Sequence, residues 1–242
     1  MVRPKADSKG PADLDILQVS GPFGDRVAGA ARPTRRSLQN RREDPTRRKA
    51  VAMERLPRLT KAELSEEQLN LHRLITEGPR AAGPRLVELQ DAHGALNGPF
   101  GVMLHAPAIG GPLQELGAAV RYRTRMTDRT REIAILAVAT ATGSKFERYA
   151  HERIGQSVGL TEAELSALRD GTFTSADPTE ASAYAVCRGL LDADPRRPWS
   201  DEEYAAAVEV LSREGVLELT VLVGYYRTLA QLMNVFAIGP PT

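Results

Sequence analysis

One cysteine, four histidines and one tryptophan occur in 242 residues, and each scarcity excludes something. The lone Cys187 allows no intramolecular disulfide, no CxxC redox pair and no cysteine-rich metal centre. The reducing cytoplasm is therefore the expected compartment. The longest purely apolar run, Ile133 to Ala139, is far shorter than the roughly 20 residues that cross a bilayer. No membrane span is expected. Alternating Val/Ile/Thr runs flanked by hairpin turns are also missing, which argues against a sheet.

Hydrophobic residues make up 42% of the chain and charged residues 26%, the composition of a globular protein. The net charge of +1 hides an asymmetry. Residues 1–52 carry 12 Lys plus Arg against 6 Asp plus Glu, so that the remainder is acidic. This basic stretch has scattered Pro and Gly and few large hydrophobics, too little apolar surface to offset the entropy of ordering. We expect a disordered tail, or a segment upstream of a true start at Met53. Its arginine pairs precede no apolar segment, which argues against export. Without interleaved aromatics or a reader fold they argue against nucleic-acid binding as well.

From Met53 onward the sequence reads as one all-α domain, 53–242. Boxes of the Ser/Thr-x-x-Glu type at Thr60, Thr161 and Ser200 announce helix starts. Further helices are expected at about Arg85–Ala92, Leu113–Tyr122, Pro178–Leu191 and Val216–Phe236. The Gly/Pro-rich stretch from His93 to Pro112 reads as a pocket-lining loop. TDRTREIAILAVATATG, apolar on nearly every side, predicts a helix buried mid-domain.

The stretch SKFERYAHERIG raises the functional question. Ser144, Glu147, His151, Ile154 and Val158 recur at steps of three and four, so they share one helix face. That face begins titratable and ends greasy. A surface pair at i, i+4 is the plain account of Glu147 and His151; their place on an apolar stripe, together with the spacing to Glu132, favours a site. Glu132 stands nineteen residues before His151, early in the helix expected to be buried.

This frame resembles the carboxymuconolactone decarboxylase/alkylhydroperoxidase D superfamily. Its thiol members carry Glu, eleven residues, Cys, two residues, Cys, three residues, His. Here the positions read Glu132, Ser144, Glu147, His151, so both thiols are gone and both proton carriers remain. REIAILAVA, AHERIGQSVGLTEAELSALRDG, GPFGVMLHAPAIGGPLQELGAAVRYRT and ELTVLVGYYRTLAQLMNVF extend the likeness to the non-thiol branch.

The resemblance implies a compact helical bundle assembled into a homotrimer or hexamer. It also implies a cofactor-independent lyase or isomerase acting on a small acidic or lactone substrate. His151 would be the acid/base, tuned by Glu147, with Glu132 orienting the imidazole, and no metal or other cofactor is expected. Ser144 is either a helix cap or a ligand, and His105 a loop residue or a pocket wall. Of Arg121, Arg123 and Arg125 one would hold a substrate carboxylate, with Arg123 chosen. Of the adjoining Tyr225 and Tyr226 one would reach the pocket, with Tyr225 chosen. A non-catalytic binding protein and a peroxidase of the alkylhydroperoxidase kind are the rival readings. The second lacks its two cysteines.

Overall fold

A computed structural model describes residues 55–78, 86–192 and 197–241. The chain divides into Met1–Ala50 and Val51–Thr242, and the fold concerns the second unit. The expected disorder of residues 1–52 lies outside the described residues.

Among the described residues a 3₁₀ turn at Lys61–Glu63 is followed by eight α-helices: α1 (Glu66–Thr76), α2 (Pro99–Met103), α3 (Pro107–Tyr122), α4 (Asp128–Thr142), α5 (Lys145–Ser157), α6 (Glu162–Asp170), α7 (Pro178–Asp192) and α8 (Asp201–Val235). Among the described residues the only β feature is an isolated antiparallel bridge between Gln90 and Leu96. All three expected capping boxes form, and Ser65 with Gln68 makes a fourth. Each joins a side-chain oxygen to amides that the first turn leaves unpaired.

Helix α4 is the hub. Every residue from Thr130 to Ala139 is buried, because the helix packs against α5, α6, α7 and α8 together. Thr127 caps its start by accepting from the Thr130 amide, and Gly143, at φ 65°, ends it in a left-handed conformation. Ser144 then caps α5 by accepting from the Glu147 amide. Two residues therefore turn the chain and set α5 against α4. Arg129 fastens the hub, pairing with Glu164 of α6 and with Glu180 of α7 (2.7 Å).

Three expectations need correcting. No helix forms over residues 86–92; Asp91 instead accepts the amides of His93 and Ala95, building the turn that the Gln90–Leu96 bridge closes. The expected loop from His93 to Pro112 is largely helical. Pro99 and Pro107 stand at helix starts, where a missing N–H costs nothing, so α3 begins six residues before Leu113. Beside this stretch His72 is buried, its Nε2 3.0 Å from the Gly94 carbonyl. The two expected C-terminal helices are continuous in α8 but bend at Ser212, whose φ of 66° breaks the helix. Its hydroxyl accepts from the Gly215 amide, which caps the second half.

Candidate functional site

Helices α4 and α5 bring Glu132, Glu147 and His151 together. Glu132 projects from the second turn of the hub helix and is 0% exposed; Glu147 and His151, one turn apart on α5, are also buried. His151 Nδ1 lies 2.5 Å from Glu132 Oε2, and His151 Nε2 lies 3.2 Å from Glu147 Oε2. The second oxygen of Glu132 faces Arg121 Nη1 of α3 at 3.5 Å. Tyr226 of α8 meets the imidazole edge to face, with centroids 5.3 Å apart and planes at 88°.

Electrostatics shift the two central groups in opposite directions. Burial alone would push the Glu132 carboxyl up, but the His151 charge and hydrogen bond, then Arg121 and Arg131, outweigh it and hold the pKa below its ordinary value. Burial alone would push His151 down, but Glu132 and then Glu147 outweigh it and raise it. Arg121 is likewise raised against burial, by Tyr226 and Glu132. Burial raises Tyr226; Arg121 opposes the shift, and Glu147 and Glu132 add to it. Glu132 and His151 therefore each favour the charged form of the other, with the Arg121 guanidinium behind Glu132 and the Tyr226 phenol against the ring.

The site opens on a cavity of about 570 Å³, of the size that holds a small organic molecule. Arg121, Arg131, Glu147, His151, Tyr225 and Tyr226 contribute its polar wall; Phe100, Phe146, Ala150, Ile154 and Leu229 contribute the apolar one. Segment 86–90, expected to be helical, forms another side. Ile154 and Val158 complete the α5 stripe as cavity wall.

The other expected ligands divide. Tyr225 lines the cavity, but so does Tyr226, because the two rings pack edge to face at 5.2 Å and the cavity wraps around both. Arg123 does not line it. It is the exposed C-terminal cap residue of α3, two residues and so about 200° around the helix from Arg121. Arg121 takes the inward place. Ser144 lies outside the lining residues and serves as the α5 cap. His105 stands apart, its Nε2 3.0 Å from the Pro57 carbonyl beside a separate small pocket.

Arg131 and Tyr226 line the cavity although the sequence did not favour them. The only signal was adjacency, to Glu132 in one case and to Tyr225 in the other. Each nitrogen of His151 lies against a glutamate, Nδ1 at 2.5 Å from Glu132 and Nε2 at 3.2 Å from Glu147. Among the described residues no group of three or more His, Cys, Asp or Glu side chains is placed to hold a metal ion.

Residues 107–188 match the carboxymuconolactone decarboxylase family, a span that includes Arg121, Arg131, Glu132, Glu147 and His151. No curated protein sequence matches the chain. Among solved structures, an alkylhydroperoxidase AhpD core, an uncharacterised peroxidase-related protein from Ralstonia eutropha JMP134, superposes with a TM-score of 0.62. The two share 13% identity over 78% of this chain and 92% of that one. A variant of the debrominase Bmp8, in complex with 2,3,4-tribromopyrrole, gives a TM-score of 0.56 at 12% identity over 76% and 90% of the two chains. At such identities the likeness is one of fold. The family match thus rests on residues 107–188, and the helical fold is shared with the AhpD core.

Proposed function

We propose that the protein is a cofactor-independent lyase or isomerase resembling carboxymuconolactone decarboxylase, acting by acid/base chemistry on a small acidic or lactone substrate. The observation that carries this reading is the buried Glu132–His151–Glu147 relay at the wall of a 570 Å³ cavity. Loss of carbon dioxide beside an unsaturated lactone leaves an electron pair that delocalises onto the ring carbonyl. Catalysis then requires hydrogen-bond donors at that oxygen and a proton for the carbon. Arg121, Arg131 and the tyrosines supply donors to the cavity, and the relay supplies the proton.

The peroxidase reading is disfavoured by the thiol itself. Cys187 is fully buried on α7, where burial pushes its pKa up to about 12, far from the thiolate that attacks a peroxide. The test is a panel of carboxylated lactones and β-keto acids, assayed for turnover without added cofactor. A general acid/base contributes about 10²- to 10⁴-fold, so Glu132→Gln and His151→Ala should each lower turnover by at least the bottom of that range. Full activity in both variants, measured per folded molecule, would make the relay structural. As a homo-oligomer, the form the resemblance implies, the protein should scatter light at a multiple of its 26.3 kDa chain mass.

A further inference from the structure

Glu147 Oε1, an acceptor, and Arg131 Nε, a donor, are buried atoms of cavity-lining side chains with no hydrogen-bond partner among the described residues. Unmet groups of this kind are uncommon in folded proteins and call for a reason. Arg131 is 7% exposed and sits in the first turn of α4, where the helix dipole disfavours a cation. Arg129, in the same turn, is fully engaged by Glu164, Glu180 and the Gly159 carbonyl. Arg131 has one ion pair, with an Asp128 whose side chain is 70% exposed. The Asp128 ion pair and the field of Glu132 leave the Arg131 Nε–H unmatched, and a ligand oxygen facing it would pair it.

Glu147 is the complementary case. Its Oε2 faces the imidazole, and its Oε1 is unmatched in a wall that Phe146, Ala150 and Ile154 make apolar. His151 Nδ1 is paired with Glu132 and its Nε2 faces Glu147 Oε2 at 3.2 Å, so Glu147 is the cavity-lining member of the set with an oxygen left over. We propose that Glu147, and not His151, exchanges the proton with the substrate, and that Arg131 meets the substrate's oxygen. The ligand class is then an enolisable carbonyl compound. This rests on the acid/base reading of the site but not on decarboxylation.

The step balances without an oxidant or a further reactant. Glu147 takes a proton from the carbon next to the carbonyl. The C–H electron pair becomes a carbon–carbon double bond, the carbonyl π pair moves to oxygen, and Arg131 donates to that enolate oxygen. Return of the proton to the same carbon, or to the vinylogous one, regenerates the carboxylate. His151 and Glu132 are positioning residues that hold Glu147 and the charge around it.

Deuterium uptake from heavy water at the α-carbon of α-angelica lactone, followed by NMR, tests the step. The wild type should accelerate exchange over buffer. Glu147→Ala should lose at least about 100-fold, and added formate should restore part of the loss by supplying the missing carboxylate. Arg131→Met should also slow exchange, while His151→Gln should retain a measurable rate that formate leaves unchanged. No exchange in the wild type overturns the proposal, as does wild-type exchange in Glu147→Ala. Rescue of His151→Ala by imidazole, with none of Glu147→Ala by formate, does the same.

A second measurement uses only the folded wild type. Glycidol, a small epoxide, should esterify Glu147 and leave His151 unalkylated on peptide mass mapping; alkylation of His151, or of neither residue, overturns the proposal. The two readings fail separately. Exchange without carbon dioxide release from any carboxylated lactone removes the lyase and keeps the enolising site. Carbon dioxide release that survives Glu147→Ala does the reverse.

Discussion

Glu132 is the least exposed charge of the site and the one with most around it, His151 on one oxygen and Arg121 on the other. Desolvating such a group costs several kcal/mol, roughly recovered only when each partner is in place. The opposite shifts of Glu132 and His151 make that recovery depend on pH. The His151 pKa is raised on folding, so its contribution is complete below the unfolded value of about 6.5 and is lost as pH rises through the folded value. The Glu132 pKa is lowered, so its contribution is complete above about 4.3 and is lost as pH falls through the folded value. Stability from the pair should therefore be greatest at about pH 4.5 to 6.5. Urea melts of the wild type from pH 6.5 upward should show a decline of up to about 1.4 kcal/mol per pH unit. His151→Ala should be flatter over that window. An equal slope in both proteins would remove the imidazolium from the account.

At the scale of elements, the approach of α5 to the segment before α2 decides the shape of the cavity. Gly98 has φ 61°, and a Cβ there would fall 2.1 Å from the Phe146 ring. Gly98→Ala therefore combines a left-handed strain with a clash that Phe146 relieves only by moving, into the cavity it lines or away from α2. The expected loss is about 1 to 3 kcal/mol, read as a lower thermal midpoint together with weaker ligand binding. A variant as stable as the wild type would show that the ring has room. This contact spans 48 residues of chain and has no sequence signal. What was legible is local: Thr127, Gly143 and the capping boxes mark helix ends, and the 3-4 spacing places Glu147 with His151. Glu132 could be joined to them only through the family's spacing, because periodicity says nothing about which helices meet. Pro99 and Pro107 misled because proline ends a helix interior but begins a helix well. Arg121 was passed over for Arg123 because an alternating Arg run has no inward side until α3 is packed.

At the scale of the whole molecule, the last question is where the folded unit begins. The composition changes near Met53, from a basic stretch to an acidic domain. The earliest described contacts fall just beyond that point: the Arg55 amide donates to the Phe236 carbonyl at 3.0 Å, and Arg55 Nη1 donates to the Val235 carbonyl at 2.7 Å. These are carbonyls at the C-terminal end of α8, which the helix itself leaves unpaired and where a cation is favoured by the dipole. Arg55 thus fastens the start of the domain to its last helix. A chain beginning at Met53 keeps this clasp and should melt within a degree or two of the full chain. Removing the clasp inside that shorter chain, by Arg55→Ala, should cost about 1 kcal/mol and raise amide hydrogen exchange at the end of α8 before it does so elsewhere. If the chain from Met53 instead melts many degrees lower, the first 52 residues contribute to the fold and their composition was misread. If Arg55→Ala leaves the end of α8 as protected as before, the domain is closed by packing alone.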